Sequence, residues 1–234
     1  MSDSSSSSSA MDRYLTPIAL FVGLLIIAAA LMFGKGAAPQ AGNEPQQVAV
    51  NIKDVKTDTS PYIGDPNAPV VMAVWFDYQC PFCKQYELTT IKSLNETYVK
   101  EGKLKIVFKD FQFLGPDSQD AALFARAVWE AYPDRFHAWY QAVMSAQDEE
   151  HGGFGNLETI KALSATVEGI DVAKVESLLN ANKAKYEVAI AADRTEGQAF
   201  GINSTPSSIV GTQALAGAVP LAQVKALIDA ELAK

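Results

Sequence analysis

The sequence predicts an α/β domain that carries an inserted α-helical block and is preceded by one N-terminal transmembrane helix. Three observations predict this. A strand–turn–helix–strand pattern surrounds the only two cysteines, Cys80 and Cys83. A long stretch of helical periodicity follows, with no strand signal to interrupt it. Near the N-terminus, residues 14–34, "YLTPIALFVGLLIIAAALMFG", contain no charged side chain.

The charge-free run comes first. A helix of that length spans about 30 Å, the hydrocarbon thickness of a bilayer. It exceeds the apolar core of a signal peptide, and its small-x-small site, Gly34-Lys35-Gly36, has a lysine in the middle. A retained anchor is therefore preferred over a cleaved signal. Residues 1–13, with the tract "SSSSSS", read as a disordered tail on the cytoplasmic side. Residues 35–58, rich in Gly, Ala, Pro and Gln, read as a flexible linker. Residues 59–234 remain for one domain, with the helical insertion at about 115–198. Arg13 and Lys35 flank the apolar run, so charge alone does not orient it.

Within the domain, "APVVMAVWF" at 68–76 is a continuous apolar run bounded by turn residues, as in a strand buried on both faces. Helical character runs over 84–100 and ends at Gly102, a C-cap. "KLKIVFKDF" at 103–111 alternates and reads as a second strand. This βαβ unit places the cysteines where strand turns into helix. The insertion follows, with Phe136, Trp139 and Tyr140 as its core and His137 and His151 as surface groups. "GINSTPSSIVG" at 201–211 returns to strand after a proline, and a last helix presents Leu221, Val224, Ile228 and Leu232 on one face.

A lone CxxC has four explanations. Zinc needs four ligands, and only His137 and His151 are available besides the cysteines. A structural disulfide would close too small a loop to restrain the unfolded chain. Two core cysteines would not explain a pair flanking Pro81 at a strand-to-helix turn. A redox dithiol fits best. Cys80 at a helix N-terminus meets unpaired N–H groups and the positive end of the helix dipole, which favour the thiolate. Cys83, one turn further in, would resolve the mixed disulfide. Pro81 suits a first helical turn, where its missing N–H costs nothing. Thr205-Pro206 opens a strand, either as a cis bond that turns the Thr205 backbone toward the cysteines or as a plain trans proline on an edge strand.

The pieces "GDPNAPVVMAVWFDYQCPFC", "KIVFKDFQFLGPDSQDAALFARAVWE" and "GINSTPSSIVG" resemble the DsbA-like branch of the thioredoxin superfamily, in its membrane-tethered bacterial form. The resemblance covers about residues 60–234. It implies a thioredoxin-like fold with an inserted helical domain, Cys80 as nucleophile, Cys83 as resolving thiol, and Thr205-Pro206 as a cis-proline loop. Pro81, Phe82 and Asp77 are expected to support the site, and Phe82 to form part of an apolar peptide-docking surface. The implied activity is disulfide exchange at the CPFC motif with reduced or misoxidised client proteins outside the membrane. The implied partner is a membrane redox protein of the quinone-linked oxidase type, and no cofactor or metal is implied. The chain departs from the resemblance at Val74, where many relatives carry a buried glutamate six residues before the first cysteine. Asp77, or Lys109-Asp110 on the next strand, is the expected substitute, unless no side chain serves. The readings that compete with an oxidase are an isomerase or reductase, and a tethered copper carrier using both thiolates. The carrier reading lacks a methionine or histidine beside the pair. The net charge of −8 carries no basic patch and excludes nucleic acid as a partner.

Overall fold

The structure, a computed structural model, describes residues 49–149 and 152–234. The predicted tail, the transmembrane segment at 14–34, most of the linker and His151 lie outside the described residues. No helix among the described residues is long and apolar enough to cross a membrane.

Five strands form one sheet: β1 (Tyr62–Ile63), β2 (Val70–Phe76), β3 (Leu104–Asp110), β4 (Ser207–Val210) and β5 (Gln213–Ala216), in the order β1-β3-β2-β4-β5. β2 and β3 are parallel, with Val70 opposite Leu104 and Phe76 opposite Asp110. β4 runs antiparallel to β2, with Trp75 opposite Ser207. The parallel pair needs a crossover, and the helix α1 supplies it over residues 81–99. That helix alternates α-helical Pro81–Tyr86 and Lys92–Leu94 with π-helical Glu87–Ile91 and Asn95–Val99. It ends as expected at Gly102, whose φ of 69° suits glycine alone without strain, and Lys103 N–H closes back on Tyr98 O at 2.8 Å.

The insertion consists of α2 (Pro116–Ala131), α3 (Phe136–Ala146), α4 (Leu157–Ser164) and α5 (Val172–Ala199). A C-terminal helix, α6 (Leu221–Leu232), buries Val224 and Ile228. β2 sits at the centre and divides its side chains by parity. Val70, Met72, Val74 and Phe76 join the large core with α1, α6 and the insertion, while Ala73 and Trp75 face a smaller core with Val50, Val55, Phe111, Ile202 and Ile209. Period-two alternation across a doubly covered strand produces this split. Phe136, Trp139 and Tyr140 are buried in the large core, as the sequence predicts.

Four expectations need correction. The flexible linker does not extend to residue 58: Ile52–Asp54 form a 3₁₀ turn, Val50 and Val55 are buried, and Ile52 N–H bonds Gly211 O at 2.8 Å. Apolar burial and a backbone bond to β4's end order a stretch whose composition looks like a tether. β1 was not expected, because two residues carry no periodicity. β3 forms as expected, but the alternation in its sequence does not mark a solvent-facing side, since all seven of its residues are buried. Lys109 pairs there with Asp193 at 2.5 Å and Glu196 at 2.9 Å, and donates to Ser60 Oγ and Lys56 O. Arg126 of α2 joins the same cluster through Asp110 at 2.6 Å and through Asp193. The cluster ties β3, α2, α5 and residues 56–60 together. Finally, His137 is no surface group: its side chain is 14% exposed and pairs with the buried Glu87.

Candidate active site

Cys80 is the N-cap of α1, in extended conformation, and Pro81 takes the first helical position. Its carbonyl accepts from Cys83 N–H at 3.0 Å and Lys84 N–H at 3.1 Å, so the first turn is closed directly on the cysteine. The Thr205–Pro206 bond is cis and immediately precedes β4, which is flanked by β2 and β5 and is not an edge strand. Thr205 O accepts the Cys80 thiol at 3.4 Å. The buried Thr205 hydroxyl has no hydrogen-bond partner of ordinary geometry, and its nearness to the pair lowers both thiol pKa values. Residues 125 positions apart in sequence thus meet across the ends of β2 and β4.

The two thiols are held in opposite states. The Cys83 thiol donating to the Cys80 sulfur is the largest cause of a Cys80 pKa lowered to about 6; burial opposes it, and the Thr205 hydroxyl and the N–H groups of Cys83 and Phe82 add to it. Burial pushes the Cys83 thiol well above its ordinary value, and the Cys80 thiolate beside it pushes the same way. One sulfur is therefore poised as an anion that attacks, and its neighbour as a neutral thiol.

Asp77 supports the site differently from expectation. Its carboxylate accepts from Gln79 N–H (2.8 Å), Ser118 Oγ (2.5 Å), Phe113 N–H (2.8 Å) and Leu114 N–H (3.1 Å). Four donors occupy it, none a thiol. It pins the 112–115 loop and α2 to the end of β2, while its backbone N–H faces Cys83. Asp110 and Lys109 are likewise committed to the buried cluster with Arg126 and Asp193. Neither expected substitute for the acid missing at Val74 is free to serve the thiols.

Sequence reasoning missed the glutamines. Gln147, just past α3, donates to Tyr78 O at 2.7 Å and Cys80 O at 3.3 Å, and its own carbonyl accepts Lys84 Nζ at 2.6 Å. Gln79 Nε2 reaches Phe154 O at 2.6 Å. The insertion thereby clamps the backbone before the CxxC, and no spacing rule links these residues in the sequence. Phe82 stands 62% exposed beside Cys80, and Phe113 is 46% exposed. Trp75 is core, as expected. No group of His, Cys, Asp and Glu among the described residues is placed to hold a metal ion.

Residues 56–230 match the family described as Thioredoxin. The chain is 27% identical to the probable disulfide bond formation protein D of Bacillus anthracis over 153 residues, 65% of this chain and 70% of that protein. It is 25% identical to disulfide bond formation protein D of Bacillus subtilis over 173 residues, 74% of this chain and 77% of that protein. Among solved structures, oxidised BdbD from Bacillus subtilis superposes with a TM-score of 0.72 at 22% identity, covering 80% of this chain and 99% of that one. The thiol-disulfide exchange protein alpha-DsbA2 from Wolbachia pipientis superposes with a TM-score of 0.65 at 28% identity, covering 74% and 87%.

Proposed function

This chain belongs to the thioredoxin family and is a DsbA-like thiol–disulfide oxidoreductase of disulfide formation; we propose that it donates the Cys80–Cys83 disulfide to reduced proteins outside the membrane. In this reading a client thiolate attacks Cys80 Sγ and Cys83 leaves. A second client thiol then displaces Cys80, which departs as a thiolate. The client gains a disulfide, and the pair takes up two electrons. A membrane partner of the quinone-linked type removes them again. Residues 14–34 anchor the chain with its N-terminus in the cytoplasm and the catalytic domain outside.

The observation that supports the direction is the setting of Cys80, at the N-cap of α1 and beside the cis Thr205–Pro206 bond, a setting that favours its thiolate and lowers its pKa. A stabilised thiolate is a good leaving group and makes the dithiol form the favoured one, which is the property of a disulfide donor. Thr205 O supports client docking, because it is presented beside Cys80 where an extended chain can pair with it. The exposed Phe82 offers apolar contact.

The test is oxidation of a reduced, unfolded client by the full chain in its disulfide form. Stoichiometric client disulfides that vanish in a Cys80→Ser variant are expected. A chain that only reshuffles wrong disulfides, and only when reduced, would be an isomerase or reductase instead. Protease access to the domain from the cytoplasmic side of sealed vesicles would overturn the topology.

A further inference from the structure

The turn from β2 into α1 ends on Cys80 and closes with two bonds of its own. Cys80 N–H bonds Asp77 O at 3.2 Å, and Gln79 N–H bonds the Asp77 carboxylate at 2.8 Å. The carbonyls of Tyr78 and Cys80 share one donor from outside the turn, Gln147 Nε2, at 2.7 Å and 3.3 Å. Tyr78 is 1% exposed, and its carbonyl has no other donor among the described residues. Gln147 is itself buried and fixed at both backbone groups: its N–H caps α3 by bonding Val143 O at 3.1 Å, and its carbonyl accepts Lys84 Nζ at 2.6 Å. The side-chain amide has one workable orientation, because a flip would set Oε1 against two carbonyl oxygens. Oε1 is then buried without a partner. A buried amide that leaves its own oxygen unpaired calls for an explanation beyond packing.

One amide thus fixes the 78–79 and 80–81 peptide planes, and with them the direction in which the Cys80 side chain leaves the turn between them. That direction matters, because the groups that meet the sulfur come from separate places. The N–H groups of Phe82 and Cys83 belong to α1, and Thr205 O, 3.4 Å from Cys80 Sγ, lies at the end of β4. We propose that Gln147 is a positioning residue of the exchange reaction, whose amide holds Cys80 Sγ within reach of the Phe82 and Cys83 N–H groups and of Thr205. The inference rests on the exchange reading given above. Without the amide, Tyr78 O is left buried and unpaired, and the turn shifts to find a donor. Cys80 shifts with it, and its sulfur loses part of the contact that stabilises the anion. Gln147 acts through the backbone of the turn and makes no hydrogen bond to either sulfur.

The test is Gln147→Met in the full chain, which keeps the length of the side chain and removes the donor. Thiolate absorbance of the dithiol form is expected to give a Cys80 midpoint raised by about one pH unit, from about 6 in the parent. In glutathione buffers near pH 7 the equilibrium is expected to move roughly fivefold toward the disulfide form, because the dithiol form loses thiolate. A brace with no part in exchange would lower the thermal midpoints of both forms alike and leave the titration and the glutathione equilibrium where they were; that result overturns the proposal. If the variant does not fold, the isotope-labelled parent reads the same coupling by nuclear magnetic resonance. Its Gln147 side-chain amide is expected to shift along the Cys80 titration, and an amide that stays still between about pH 5 and pH 8 overturns the proposal. A parent chain that exchanges no disulfide with glutathione would sink the exchange reading, whereas an exchanging parent with an unmoved variant sinks the role of Gln147 alone.

Discussion

Replacing Cys83 with alanine isolates the largest cause of the Cys80 thiolate. In the dithiol form the Cys83 thiol donates to the Cys80 sulfur, ahead of the Thr205 hydroxyl and the N–H groups of Cys83 and Phe82. A hydrogen bond to an ionised group is worth about 1.5–3 kcal/mol, or roughly one to two pH units. Solvent reaches part of the sulfur, so the lower end applies, and the Cys80 midpoint should rise from about 6 to about 7 in Cys83→Ala. The thiolate fraction near pH 7 then falls from roughly nine-tenths to roughly one half. Thiolate absorbance in the ultraviolet, titrated on the reduced full chain and on the variant, measures both midpoints directly. Cys83 adds nothing to the parent's curve in that range, because its own pKa lies well above the ordinary value. A variant midpoint unchanged from the parent would refute the reasoning and assign the thiolate to the helix N-terminus and Thr205 alone.

Three further outcomes follow from the same geometry. The Cys80 pKa falls from 9.0 to about 6 on folding, so the dithiol form gains stability that is complete above pH 9 and lost as pH drops through 6. Relative to the disulfide form, thermal melts at pH 8 and pH 5 should show the dithiol form losing roughly 2 kcal/mol, after discounting for solvent screening; a constant difference would contradict the shift. Lys109→Met leaves Glu196 without its buried cation and Asp193 with Arg126 alone, and should cost about 3–5 kcal/mol in denaturant melts, whereas a loss below 1 kcal/mol would mean the cluster relaxes around water. Gly197→Ala places a methyl 2.8 Å from the Trp75 ring, and the overpacking should cost about 1–3 kcal/mol by the same assay; a neutral result would mean that α5 shifts freely on β2.

Much of the site was legible because local chemistry encodes it. Pro81 fits only a first turn, the valine-rich run of β2 fits only a doubly covered strand, and Thr205-Pro206 stands out wherever a strand begins. What stayed hidden depends on contacts between distant segments. Lys105 and Lys109 alternate with Ile106 and Phe108 as solvent-facing residues would, and for Lys109 only its buried carboxylate partners on α5 explain its place. Asp77 looks like a proton acceptor from its nearness to Cys80, yet Gln79 N–H of its own turn and three donors from the loop after β3 and from α2 occupy its carboxylate. His137 reads as a surface group, and it pairs with the buried Glu87 only when α3 packs on α1. Val50 and Val55 are two apolar residues in a polar stretch, too few to signal that the domain begins before residue 59.

The reduction potential of the Cys80–Cys83 couple, equilibrated in the full chain against glutathione buffers, tests the central claim most directly. A disulfide donor with a stabilised Cys80 thiolate should lie toward about −120 mV. A value of about −200 mV or below would contradict donation and identify a chain that works in its reduced form.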